Sequence, residues 1–214
     1  MSGARLRVLI ADDHAIVRQG LRQILSDTPD LEVAGEADNG VAAIQLARQQ
    51  PWDVMLMDVS MPDRNGIEAL KIIRKEFPRL PVLILSMYPE DQYAIRALKA
   101  GAAGYLTKQS APEQLVHAIR QVASGKKYVS AALALELADA ISEDSERAPH
   151  EKLSDREYQT LCLIASGKTL TQIGEELNLS VKTVSVYRAR LLEKMKLHNN
   201  AELTHYGLKH GLVD

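Results

Sequence analysis

The stretch Val54-Met-Leu-Met-Asp58-Val-Ser-Met-Pro62-Asp-Arg-Asn-Gly66 decides how the rest of the chain reads. Its apolar run stops abruptly at an aspartate, and Pro62 and Gly66 mark a loop behind it. A short apolar run bounded by turn signals is the pattern of a strand buried on both faces of a parallel sheet. Asp58 then sits at the strand's carboxyl end, the edge at which open α/β sheets place their ligands. An aspartate there can also be no more than a helix cap, so the flanking sequence has to decide.

On the amino-terminal side, Arg7–Ala11 is a short strand pattern that stops at Asp12-Asp13-His14. Helical periodicity follows through Val17, Leu21, Ile24 and Leu25, then a strand over Leu31–Ala37 and a helix over Val41–Gln50. Beyond the loop come a helix from about Ile67 to Phe77, the apolar strand Pro81–Leu85 ending at Ser86, and a helix from about Glu90 to Ala100. Gly104-Tyr-Leu-Thr-Lys108 is a last short strand, and Ser110-Ala-Pro-Glu113 has the capping-box spacing that opens a helix to about Ala123. Strands alternating with helices in this way predict a doubly wound, five-stranded parallel sheet. From Gly125 the alternation ends. Ala131–Ile141 reads as one helix and Ser142–His150 as an acidic, polar linker.

The chain has 214 residues, enough for two modest domains each with its own core. A hydrophobic fraction of 46% and a charged fraction of 25% are ordinary for globular protein. No apolar run approaches the ~20 residues that span a bilayer, and Met1–Val8 leads into a strand pattern instead of a signal peptide. The single cysteine, Cys162, lies in an apolar helical pattern; it reads as a core residue and fits a cytoplasmic protein. Residues 1–124 carry net −1, 125–150 net −2 and 151–214 net +1. Within the last segment Val181–Lys196 alone carries +4, a local basic stripe suited to a polyanion.

Read on a doubly wound sheet, the strand ends bring Asp12, Asp13, Asp58, Ser86 and Lys108 toward one cleft. Crowded carboxylates raise one another's pKa, and a hard divalent ion such as Mg²⁺ relieves that cost. A carboxylate nucleophile, a metal and an ammonium are the parts needed for phosphoryl transfer. These residues, with Met61-Pro62, Asn65-Gly66 and Gly104-Tyr105-Leu106 in the same order, closely resemble a CheY-like receiver domain over residues 7–123. The resemblance implies that Asp58 accepts a phosphoryl group from a sensor histidine kinase. It implies Mg²⁺ ligated by Asp13, Asp58 and the backbone carbonyl of Ser60, with Asp12 acting through water. It further implies that Lys108 pairs with the phosphoryl oxygens, that Ser86 swings to bond them, and that Tyr105 rotates inward. Ser60 and Tyr88 flank the site. Gln109 departs from the pattern, since many receivers have proline there.

After the linker everything reads as helix. Ser154-Asp-Arg-Glu157 and Thr169-Leu-Thr-Gln172 are capping boxes, Asn178-Leu-Ser180 makes a turn, and Val181–Met195 is the longest helix. Four short helices with the third longest and basic form a helix-turn-helix layout. On that helix Val184, Tyr187, Leu191 and Met195 share a buried face, and Lys182, Ser185, Val186 and Ala189 fall on the other side. Arg188 projects toward the core side, as a packed stem or an ion pair. Leu153-Ser-x-Arg-Glu157, Ile173-x-x-x-Leu177, Ser180-x-x-Thr183-Val184 and Lys194-Met195 resemble the LuxR-type DNA-binding domain over about residues 149–214. That resemblance implies a DNA-binding surface of Lys182, Thr183, Ser185, Val186, Ala189, Arg190 and Lys194. It places a dimer contact on the last helix, at Asn200, Leu203 and Gly207. Ser185 and Tyr187 depart from frequent family residues, so base contacts do not transfer.

Together the halves resemble a NarL/FixJ-class response regulator: a receiver over 1–124, a linker over 125–148 and a DNA-binding domain over 149–214. The expected behaviour is phosphorylation at Asp58, a change of surface near the fourth helix and fifth strand, homodimerisation, and promoter binding without membrane association. Two rivals stay open on the residues alone. Dehalogenase-type phosphatases also place a nucleophilic aspartate at a strand end, but they need a second carboxylate two residues on, and Ser60 stands there. A DNA-binding protein indifferent to phosphorylation is the other.

Overall fold

A computed structural model describes residues 5–62, 64–88, 90–130, 133–134 and 148–213. Contacts divide the chain into two compact units, Met1–Asp139 and Ala140–Asp214. In the first, strands β1 (Leu6–Ala11), β2 (Leu31–Ala37), β3 (Val54–Asp58), β4 (Val82–Ser86) and β5 (Gly104–Thr107) alternate with helices α1 (Ala15–Ser26), α2 (Gly40–Gln49), α3 (Gly66–Glu76), α4 (Glu90–Lys99) and α5 (Pro112–Ala123). All strand pairs are parallel, in the order β2-β1-β3-β4-β5.

Burial explains why the central strands read as unbroken apolar runs. Val8, Ile10, Leu56, Leu83 and Leu85 join Leu21 and Leu25 of α1 and Leu115 and Ile119 of α5 in one cluster. Their alternate neighbours Leu9, Met55, Met57 and Ile84 point to the opposite face and are equally buried. With both faces covered, no position of β3 or β4 is left for a polar residue until the strand ends. Those ends are where the carboxylate and the hydroxyl appear.

Helix starts follow short polar side chains. Asn39 accepts from the Ala42 amide and Asn65 from the Glu68 amide. The cap of α5 lies one residue later than the capping-box spacing predicts. Its N-cap is Ala111, whose amide donates to Gln114 Oε1 at 3.3 Å, while Ser110 Oγ pairs with Thr107 Oγ1 at 3.2 Å. Pro112 at the first helical position, not Ser110, fixes that start.

The stretch after Gly125 remains on the first unit. The Tyr128 amide donates to the Ala103 carbonyl at 2.9 Å, Tyr128 bridges to Gly104, and Leu133 is buried. Leu133 and Ala134 are helical, and the rest of the expected helix over Ala131–Ile141 and most of the acidic linker fall outside the described residues.

The second unit holds a 3-10 turn (Pro149–Lys152) and helices α6 (Asp155–Ala165), α7 (Leu170–Glu176), α8 (Val181–Met195) and α9 (Asn200–Lys209). The two capping boxes form, Ser154 with Glu157 and Thr169 with Gln172. Helix α6 is central, packed by the other three. Between α7 and α8 the chain turns at Asn178, whose φ of 52° is in the left-handed region that asparagine tolerates. Gly174 is required there, because a Cβ would lie 2.7 Å from the Leu179 carbonyl oxygen.

Candidate functional site

The first unit concentrates charge at the carboxyl ends of β1, β3, β4 and β5, beside the point where the strand order reverses. Asp12 and Asp58 are almost wholly buried, at 1% and 3% exposure. Lys108 Nζ lies 2.6 Å from Asp12 Oδ2 and 2.9 Å from Asp58 Oδ2, so one ammonium serves two buried carboxylates. Its backbone is fixed by the Lys108 amide donating to the Ser86 carbonyl at 2.7 Å. His14 Nδ1 approaches Asp13 Oδ1 at 2.8 Å, and the His14 amide donates to Asp12 Oδ1 at 2.9 Å.

The balance of these charges sets the chemistry. Burial pushes the Asp58 carboxyl up to about 6; Lys108 opposes this, Asp12 adds to it, and the Ser60 backbone N–H opposes it. Burial alone would lower the Lys108 ammonium, yet Asp58 and Asp12 outweigh it and hold the group above the ordinary lysine value. Asp58 is therefore a carboxylate kept costly to ionise beside a cation that stays charged. That combination favours a carboxylate whose new charge can be met at once by a metal and an ammonium.

Backbone packing makes the position of Asp58 strict. A Cβ on Gly66 would lie 1.9 Å from the Asp58 carbonyl oxygen, and the Gly66 amide donates to the Val59 carbonyl at 2.9 Å. The Asn65-Gly66 pair thus lets α3 start directly against the end of β3, with Asn65 fully buried as its cap.

Beside Asp58, Ser86 is fully buried and its Oγ accepts the Tyr88 amide at 3.1 Å. Tyr105 is also fully buried, its hydroxyl donating to the Tyr88 carbonyl at 2.8 Å. Burial drives the Tyr105 phenol well above its ordinary pKa, so it acts only as a neutral hydrogen-bonding group. In this structure the Tyr105 ring already sits inward. Tyr88, stacked on Tyr93 at 4.6 Å, is the link between Ser86 and Tyr105.

Asp12, Asp13, His14 and Asp58 each place a ligand atom within 4.8 Å of the others. Three carboxylates supply the hard oxygen donors that Mg²⁺ takes, so the residues fit that ion. His14 is the member that the motif spacing does not single out, although it directly follows Asp12-Asp13.

In the second unit Val184, Leu191 and Met195 are buried and Tyr187 half-buried, as the helical spacing requires. Lys182, Ser185, Val186, Ala189 and Arg190 share exposure along the other face of α8. Thr183 is half-buried, its hydroxyl paired with Ser180 Oγ at 2.8 Å. Lys194 is exposed and also has a partner within the domain: its Nζ meets Glu157 Oε2 at 2.6 Å, and Glu157 is buried at the start of α6. Burial raises Glu157, but Lys194 and Ser154 outweigh it and leave the carboxyl below its ordinary value. Lys194 thus ties α8 to α6. The expected dimer residues need correction. Leu203 is fully buried, and a Cβ on Gly207 would lie 2.6 Å from Ala165 Cβ, so both face α6 within their own domain. Asn200 Oδ1 accepts from Arg188 Nε at 2.5 Å. The outer face of α9 is instead Ala201, His205 and Leu208.

Comparison with known proteins agrees with both halves. Residues 8–120 match the response regulator receiver domain family, and residues 151–207 match the luxR family of bacterial regulatory proteins. The chain belongs to the response regulators. It is 40% identical to the response regulator UvrY of Escherichia coli K12 over 210 residues, covering 98% of this chain and 96% of that protein. Response regulator GacA of Pseudomonas aeruginosa is 39% identical over 210 residues, with 98% of each chain covered. Among solved structures, RcsB of Salmonella enterica serovar Typhimurium, bound to promoter rprA with the phosphomimetic BeF3-, matches at a TM-score of 0.62 and 30% identity, covering 94% of this chain and 98% of that one. This response regulator therefore joins a receiver to a LuxR-type DNA-binding domain and acts as a transcriptional regulator of a two-component system. No helix among the described residues is long and apolar enough to cross a membrane.

Proposed function

We propose that Asp58 is the phospho-acceptor of this response regulator and that its phosphorylation by a sensor histidine kinase controls dimerisation and promoter binding in the cytoplasm. The observation that carries this reading is the two-carboxylate, one-lysine cluster: Asp58 lies buried, 2.9 Å from Lys108, in a donor set suited to Mg²⁺. Asp13, Asp58 and the Ser60 carbonyl would hold the ion and Asp12 would act through water. When bound, the ion would supply charge neutralisation for the incoming phosphoryl oxygens. Asp58 Oδ attacks phosphorus, the P–N or P–O bond to the donor breaks, and the leaving group departs with its electron pair and takes up a proton. Lys108 then transfers its contact from Asp58 to a phosphoryl oxygen. Ser86 must leave the Tyr88 amide to donate to the phosphoryl group, and this exchange is what alters the β4–α4 surface beside Tyr105. Catalysis by the chain itself is limited to accepting phosphate from small donors and losing it to water.

The functional division is a receiver over 1–124, a connector over 125–148 and a DNA-binding domain over 149–214. The contacts of Tyr128 and Leu133 favour attaching the first part of the connector to the receiver. Lys182, Arg190 and the amide end of α8 contact phosphates, and Ser185, Val186 and Ala189 approach base edges. Thr183 orients the start of the helix. The partner copy is met by the outer face of α9 near Asn200.

Intact mass after incubation with Mg²⁺ and acetyl phosphate tests the acceptor. Wild type should gain one phosphoryl group and Asp58→Asn none. An equal adduct on the variant would transfer the role to another residue.

A further inference from the structure

The far end of the first unit, at the amino ends of β3, β4 and β5, holds a second concentration of charge, opposite in sign to the first. A cavity of about 350 Å³ opens there between the α3–β4 turn and the segment that leaves α5. Arg74, Arg79, Lys126 and Lys127 line it, with Asp53 the acidic member. Asp53 Oδ2 is already engaged by the Arg7 backbone amide at 2.7 Å. Among the described residues none of the four cations forms an ion pair with a carboxylate. They are anchored by neutral carbonyls instead: Arg74 Nη1 donates to the Pro78 carbonyl at 2.5 Å, and Lys127 Nζ to the Ala102 carbonyl.

This arrangement is built and not a chance of loose side chains. Gly101, at φ 104°, brings the turn after α4 against the Arg74 stem, where a Cβ would meet Cγ at 3.0 Å. The Lys127 carbonyl is held by Gln121 Nε2 at 2.6 Å. Burial and then the Arg74 charge lower the Lys127 ammonium's pKa, the mark of like charges gathered without a counter-charge. Arg74 and Lys127 each retain N–H donors beyond those spent on carbonyls.

We propose that this cavity is a binding site for a small multivalent phosphate anion, held by Arg74 and Lys127 with Arg79 and Lys126 at its rim. Arginine forks and lysine ammoniums are the donors that phosphate oxygens take. The anion ties the α3–β4 turn to the first residues of the exit segment, a role separate from the chemistry at Asp58.

The chain carries its own reporter, since Trp52, its one tryptophan, lines the cavity with its Nε1 fixed to the Leu46 carbonyl at 2.9 Å. The full chain is titrated with pyrophosphate in EDTA at constant ionic strength, following Trp52 emission and the amide NMR signals of Gly101 and Gly125. A saturable change is expected with a dissociation constant of about 1 mM or tighter. Lys127→Gln, and separately the exposed pair Arg79→Gln with Lys126→Gln, should weaken it about tenfold through lost charge-assisted hydrogen bonds. Asp58→Asn and Lys182→Ala should leave it unchanged, which separates this site from the acidic cleft and from α8. No saturable change in wild type, or equal binding by the charge-removed variants, overturns the proposal.

Discussion

Replacing Asp58 by asparagine should make the receiver more stable, not less, when divalent metal is absent. Asparagine stands in for the protonated carboxyl at similar volume. Burial first, with Asp12 adding and Lys108 opposing, lifts the Asp58 carboxyl from 3.8 to about 6. At about 1.4 kcal/mol per pH unit, the ionised group disfavours the folded state by about 3 kcal/mol. Because the folded pKa lies above the unfolded one, the penalty is complete above about pH 6. It shrinks as the pH falls through that value and disappears below 3.8, where both states are protonated. Thermal unfolding of wild type and Asp58→Asn in EDTA at pH 8 should therefore separate the receiver transitions by on the order of 10 °C, and the gap should close as the pH falls toward 4. Mg²⁺ should raise the wild-type transition more than that of the variant, since the ion binds the folded carboxylates. A variant no more stable than wild type at pH 8 in EDTA would refute the charge balance on which the site rests.

Further consequences lie in both domains. Lys108→Met removes the one cation between two buried carboxylates and should cost about 3 kcal/mol of receiver stability in EDTA at pH 8, measured by urea unfolding. Gly66→Ala forces a Cβ against the Asp58 carbonyl; a loss of about 2 kcal/mol and a failure to gain the phosphoryl adduct are expected by unfolding and intact mass. Lys182→Ala with Arg190→Ala should lower the salt slope of DNA binding by about 2, one for each phosphate left without its cation. Lys194→Met should leave that slope unchanged but strand the buried Glu157, costing the second domain about 2 kcal/mol in thermal unfolding.

Much of this was legible because the sheet imposes a simple code. With both faces of β3 and β4 covered, Asp58 and Ser86 stand out in sequence as the first polar residues after apolar runs. The strand order then brings them beside Asp12 and Lys108. What the sequence hid were contacts between residues far apart along the chain. Leu203 and Gly207 look like surface positions on a short polar helix, but Ala165 sits against Gly207 and closes that face. Lys194 belongs to a basic stripe by composition, yet Glu157, buried 37 residues earlier, claims its ammonium. The strand pattern locates Tyr105 but not its inward position, which depends on the Tyr88 carbonyl. The α5 cap falls one residue late because Pro112 overrides a good capping-box pattern at Ser110.

If the state of Asp58 governs DNA binding, affinity for DNA must follow the phosphate mimic and must do so only through that residue. DNA fragments selected by wild type loaded with Mg²⁺ and beryllofluoride can be titrated with wild type and Asp58→Asn, each with and without the mimic. Beryllofluoride should tighten wild-type binding about tenfold, a coupling of about 1.4 kcal/mol, and leave Asp58→Asn at the untreated level. Equal affinity in all four conditions would contradict this and leave a DNA-binding protein indifferent to phosphorylation.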